Sequence, residues 1–178
     1  MENGTGHYQR FLDGDRKAFD AILEEFFYPL VFFIDRYVQD IHIAVEMAMD
    51  IFSDLIVHPK RYNFKISLKT YLFLVARSRA MMHLRLPREL KQPLESHDGP
   101  HTLEELVLTT QLQYRVHQAL ARFPEQQRTL IHLVYFARFS YDDVAVVLKK
   151  KRKQVDEILE VAKRELRVIL GKDGERIL

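Results

Sequence analysis

The sequence predicts an all-α protein of two small helical domains joined by a linker. Apolar residues recur at spacings of three and four over long stretches, the mark of helices burying one face. Glycine and proline are few, six of each in 178 residues, and no segment alternates Val, Ile and Thr with polar residues as a half-buried strand would. Three of the six prolines fall in "PRELKQPLESHDGPH", Pro87 to His101, which has no apolar period and reads as the linker. The implied organisation is a domain over 1–86, a linker over 87–111 and a second domain over 112–178.

Each element has its own signals. Asp13 or Asp15 caps a helix whose apolar positions Phe19, Ile22, Leu23, Phe26, Leu30 and Phe33 share a face, with a kink expected at Pro29. A second helix is expected over Ile43–Val57, stopped by Pro59. The basic, aromatic loop "HPKRYNFKI" follows, and Ser67 caps a third helix running through Leu72, Val75, Ala76 and Met82 to about Leu86. Beyond the linker, helices are expected over Leu103–Phe123, over Glu125–Phe136 after Pro124, and from a Ser140 cap to Leu148. Asp142 and Asp143 sit in the first turn of the last of these, where the helix dipole favours them. After a run of cations, Val155, Ile158, Leu159, Ala162, Leu166 and Ile169 form one apolar face.

Composition narrows the function classes. A chain 47% hydrophobic can bury a substantial core, and without cysteine it makes no disulfide and no thiolate metal site. No apolar stretch is long and uncharged enough for a bilayer or a signal core, so a cytoplasmic protein without membrane attachment is expected. His97, Asp98 and His101 have a Gly-Pro between them that breaks any shared helix face, so neither a metal nor a cofactor is expected. No nucleophile or phosphate-loop constellation points to an enzyme. The net charge of +2 conceals an asymmetry: residues 1–59 hold 4 Lys/Arg against 11 Asp/Glu, whereas residues 60–91 hold 9 against one. A polyanion is the natural partner of the basic part, and a second partner of the acidic part.

The strongest local pattern lies at 140–170. Two helices separated by about four residues, with small Ala145 in the first and Val155 early in the second, match the helix-turn-helix plan. Lys149, Lys150, Lys151, Arg152, Lys153 and Gln154 occupy the turn and the start of the second helix, where cations meet phosphates. Asp156 and Glu157 follow; a carboxylate there accepts from cytosine N4 if it faces a base edge and repels DNA if it faces phosphate.

Four stretches share one likeness: "GDRKAFDAILEEFFYPLVFF" from Gly14, "AVEMAMDIF" at 44–52, "SLKTYLFLVARSRAMMHLR" at 67–85, and "FPEQQRTLIHLVYFARFSYDDVAVVLKKKRKQVDEILEVAKRELR" from Phe123. In order and separation they resemble bacterial RNA polymerase sigma factors of the extracytoplasmic-function group of the sigma-70 family, in the compact form with only regions 2 and 4. The likeness covers residues 12–86 and 112–170. It implies a non-enzymatic promoter-specificity subunit that binds core polymerase and promoter DNA and helps to open the duplex. Val45, Glu46, Met49, Asp50 and Ser53 are implied to dock on the clamp of the largest polymerase subunit. Lys60, Arg61, Tyr62, Asn63, Phe64, Lys65, Arg77, Ser78, Arg79, Met82 and Arg85 are implied to hold the −10 element, with the loop before Ser67 capturing a flipped base. Tyr62 and Phe64 supply stacking rings for it, worth about 1–3 kcal/mol per base. Tyr71 and Phe73, at helical spacing, are expected in the core. Lys149 to Gln154, Asp156 and Glu157 are implied to hold the −35 element, and the segment 87–111 to give an anti-sigma factor room to act.

The sequence also departs from the family pattern. Met49 stands where the family has Gln and Val45 where it has Glu, which implies altered polymerase binding. Ser78 and Met82 replace amide or acidic residues on the helix facing the −10 element, implying an unusual preference there. Lys149 replaces a common glycine, at about 1 kcal/mol if the backbone is left-handed at that point. Two other functions fit the same residues: a sigma-like regulatory protein without initiation activity, and a helix-turn-helix regulator independent of polymerase. Tight DNA binding without polymerase would mark the second.

Overall fold

The computed structural model describes residues 4–85 and 122–170. The linker, its two histidines, and the helix expected from Leu103 apart from its end lie outside these residues. The chain divides into two compact units, 1–100 and 101–178, and every element among the described residues is helical, as the periodicity predicts. No helix among them is long and apolar enough to cross a membrane.

In the first unit α1 spans Thr5–Leu12, α2 Arg16–Val38, α3 Ile41–Val57 and α4 Leu68–Arg85, with a single 3-10 turn at Pro59–Arg61. The long α2 is the centre, packing against the other three. Its Phe19, Ile22, Phe26, Leu30 and Phe33 are buried, as are Val31, Ile34 and Tyr37 on an adjoining stripe. Fully burying one such side chain stabilises by about 1.5–3 kcal/mol. Pro29 sits at an exposed position and the helix runs on through it. Asp15 rather than Asp13 occupies the N-cap, and Arg10 holds its carboxyl below the usual range. Asp40 starts α3 two residues before the sequence suggests, its side chain accepting from the N–H groups of His42 and Ile43. Ala44 and Ala48 on α3 and Ala76 and Ala80 on α4 are buried, small residues one turn apart that let helices approach closely.

Nothing in the sequence announces α1. Gly4 precedes it with φ 72°, and a Cβ there would lie 2.5 Å from the Phe26 ring, so both the backbone and the space require glycine. Tyr8 is fully buried, and Thr5 Oγ1 accepts a 3.1 Å bond from the N–H of Leu68, the first residue of α4. Ser67 completes that cap, its hydroxyl accepting from Thr70 N at 3.1 Å.

In the second unit α5 spans Glu125–Ile131 and continues as a π-helical turn over His132–Phe136; α6 is Tyr141–Leu148 and α7 Arg152–Leu170. Ser140 caps α6, accepting from Asp143 N at 3.1 Å. Val155, Leu159, Ala162 and Leu166 of α7 are buried with Leu130, Leu133, Val144 and Val147, while Ile169 at the far end of the predicted stripe is exposed. The α6–turn–α7 segment is the predicted helix-turn-helix. At its corner Lys149 has φ 53° and ψ 46°, the left-handed conformation that the missing glycine would favour.

Candidate nucleic-acid interface

On α3 the side turned away from the core carries Glu46, Met49, Asp50 and Ser53, all exposed, at helical spacing i, i+3, i+4 and i+7; Val45 is half-buried beside them. Met49 is 57% exposed, and Ile56 and Val57 extend the apolar component one turn on. These are the residues that the family resemblance assigns to the polymerase. The helix forms because its opposite stripe, Ala44, Ala48, Ile51, Phe52 and Leu55, is buried.

The loop from Pro59 to Ser67 separates its aromatic residues in a way the sequence does not indicate. Tyr62, expected to stack on a captured base, is only 2% exposed. Its hydroxyl donates to the carbonyl of Ile66 at 2.8 Å and meets Thr5 Oγ1 at 3.1 Å. Its ring packs within 5.6 Å of Tyr8 and 5.1 Å of Tyr71, centroid to centroid. Tyr62 is therefore a core pillar of the loop and presents no free face. Phe64, 40% exposed and held at φ 60°, is the ring left at the surface, 4.6 Å from Tyr62. The Asn63 side-chain oxygen accepts from Lys65 N at 3.1 Å, which shapes the turn. Lys60, Arg61 and Lys65 of the same loop are exposed. Burial raises the ionisation of Tyr62 and Tyr71 above the ordinary tyrosine range and that of Tyr8 to about 12. Phe73, expected in the core, is buried, and Tyr71 is partly so.

The α4 residues sort onto different sides. Ser78, Met82 and Arg85, spaced four and three apart, form one exposed stripe. Arg77 is half-buried, with its Nε enclosed. Arg79, expected on DNA, turns toward α3 instead: it bonds the carboxylate of Asp54 and lies 3.9 Å from that of Asp50. Arg61 approaches Asp54 as well, at 3.1 Å. Sequence reasoning misses Asp54, whose only signal there is an acid one turn beyond Asp50.

Around the helix-turn-helix the cations also divide. Arg152 stacks on the Tyr141 ring at 4.5 Å, approaches Asp142 at 3.1 Å and bonds Asp156. Lys163 lies 5.9 Å from the centroid of the same ring and donates to Glu160 at 3.1 Å. Burial pulls the Lys163 ammonium down, but its bonds to Glu160 and the Tyr141 hydroxyl outweigh this and leave its affinity for the proton raised. Tyr141 thus ties α6 to α7. Gln154, expected on DNA, has its side-chain oxygen on the N–H of Lys151 at 2.9 Å, closing the start of α7. Lys149, Lys150 and Lys151 form no ion pair among the described residues. No group of three His, Asp or Glu able to hold a metal is found among the described residues.

No protein-family model matches the chain. The RNA polymerase sigma-H factor of Pseudomonas aeruginosa is 26% identical over 154 residues, spanning 79% of this chain and 80% of that protein. Among solved structures, the sigma factor RpoE of Bartonella quintana, in complex with the anti-sigma factor NepR, matches with a TM-score of 0.66 at 19% identity, covering 88% of this chain and 99% of that one. CnrH, in complex with the cytosolic domain of CnrY, gives a TM-score of 0.66 at 15% identity over 94% and 97% of the two chains. The fold is thus that of sigma factors. In sequence the chain is similar to a bacterial RNA polymerase sigma factor over 79% of its length, in agreement with its motif resemblance to the extracytoplasmic-function group.

Proposed function

We propose that the chain is a sigma factor that brings core RNA polymerase to promoters through α3, holds the −10 element with the 59–67 loop and the exposed stripe of α4, and holds the −35 element with the α6–α7 helix-turn-helix. The observation that carries this is the α3 stripe. Met49, Ile56 and Val57 form an exposed apolar strip along α3 beside Glu46, Asp50 and Ser53, a surface suited to a partner protein. On DNA, the exposed cations Lys60 and Lys65 share a loop with the exposed Phe64 ring, while Arg61 is met by Asp54 at 3.1 Å, a combination that supports stacking of an unpaired base without ATP. Capture of one base offsets roughly the few kcal/mol that unstacking costs. The chain itself performs no covalent step in this scheme.

The test is reconstitution with the core polymerase of the source organism and run-off transcription on its genomic DNA. Discrete promoter-dependent transcripts are expected only when both are present. Failure of core binding and of transcription together overturns the proposal, and tight promoter binding by the chain alone would point to a polymerase-independent regulator. A segment corresponding to residues 87–111 is where an anti-sigma partner would act in this scheme, which co-purification from the source organism tests.

A further inference from the structure

The first three turns of α7 hold both signs of charge, and local bonds decide which groups remain available. Arg152 is engaged by the Tyr141 ring, Asp142 and Asp156. Gln154 is engaged by the Lys151 N–H. Asp156 is the partner of Arg152 one turn away and only partly exposed. Glu157 differs: its side chain is 63% exposed, and its only cation among the described residues, Lys153, is itself 88% exposed and 3.9 Å away, at the outer limit of an ion pair. It borders an open groove shared with Pro124, Gln126, Gln127, Ile158 and Val161.

In a helix-turn-helix the early part of the second helix faces base edges, while cations of the turn meet phosphates. An available carboxylate there is a liability against phosphate and an asset against an amino group; among base edges of the major groove, cytosine N4 is the donor that Asp and Glu take. We propose that Glu157 is the residue through which this chain selects a cytosine in its −35 element, and that Asp156 makes no base contact, serving instead to hold Arg152 against α6. Lys153, at 3.9 Å and almost fully exposed, offsets the Glu157 charge only weakly in the free protein. This rests on the reading of the chain as a promoter-binding subunit.

The experiment is selection of promoter DNA randomised over the −35 element by the full chain bound to core polymerase, with Glu157→Ala and Asp156→Asn alongside. The unaltered chain is expected to enrich a cytosine at one position. Glu157→Ala should reduce that preference about tenfold and leave the other positions as they were. Asp156→Asn should change affinity evenly across sequences and alter no position. Unchanged preferences with Glu157→Ala, or loss of one with Asp156→Asn, overturn the assignment while leaving the promoter-binding reading intact. If the unaltered chain with polymerase selects no sequence at all, both fall. Circular dichroism of each variant checks that α7 remains helical.

Discussion

The buried hydroxyl of Tyr8 donates a 2.8 Å hydrogen bond to the carbonyl oxygen of Leu55. Inside a helix that carbonyl would accept from the residue four positions on, but that residue is Pro59, which has no N–H. The proline that ends α3 leaves an acceptor without a helical donor, and a side chain from α1 supplies one.

Tyr8→Phe is therefore expected to cost about 1 kcal/mol, read from urea denaturation of the full chain. It should also alter the response to alkali. The tyrosine ionises at about 12 in the folded chain against 10.0 ordinarily, because burial and then the neighbouring Tyr71 and Tyr62 oppose the phenolate. A raised value means that its contribution is intact below pH 10 and is lost as pH climbs toward 12, where the unfolded chain gives up the proton first. The variant should show a shallower fall in stability over that window; an identical fall would remove Tyr8 from the effect.

Lys149→Gly is expected to stabilise the second unit by about 0.5–1 kcal/mol, since the backbone at φ 53° disfavours a Cβ. Chemical denaturation followed by helical circular dichroism reports it. No gain would mean that the lysine side chain offsets its strain through interactions of its own.

Replacing Lys149, Lys150 and Lys151 with glutamine is expected to weaken promoter binding by the polymerase complex and flatten its salt dependence, by close to 0.9 in the logarithmic slope for each phosphate no longer neutralised. Arg152→Gln should change the slope by less than half of that amount, because its charge is already met by Asp142 and Asp156. Equal effects would place Arg152 on the DNA after all.

Met49→Asp is expected to lower affinity for core polymerase at least tenfold with at most about 1 kcal/mol lost in stability, since the side chain is 57% exposed and the cost is limited to helix propensity and like charge beside Glu46. A variant that binds polymerase normally would remove the α3 stripe from the interface.

The parts of the molecule legible in the sequence are those whose physics is local. The spacing of Phe19, Ile22, Phe26, Leu30 and Phe33, the caps at Ser67 and Ser140, and the left-handed corner at Lys149 follow from a window of a few residues. The stretch that becomes α1 is not legible, because "TGHYQRFL" buries Tyr8 alone and is held in place by bonds to Leu55, Tyr62 and Leu68, about 50 to 60 positions away. The same distance hides the fate of Tyr62. A ring between cations reads as a nucleic-acid platform until Tyr8 and Tyr71 are seen packed against it. Arg79 and Asp156 mislead for a related reason: a charge looks available in a string of letters, whereas in the fold Asp54 and Arg152 engage them.

The position of Asp54 complicates genetic dissection. It lies one residue past Ser53 on the helix proposed to dock on polymerase, yet its carboxylate secures Arg61 and Arg79 of the neighbouring loop and α4. An alanine scan along α3 would therefore change phenotype between adjacent codons, from failure to assemble at Ser53 to faulty promoter handling at Asp54. Screens that score only reporter output would merge the two, and suppressors of an Asp54 lesion should map to the arginines it releases.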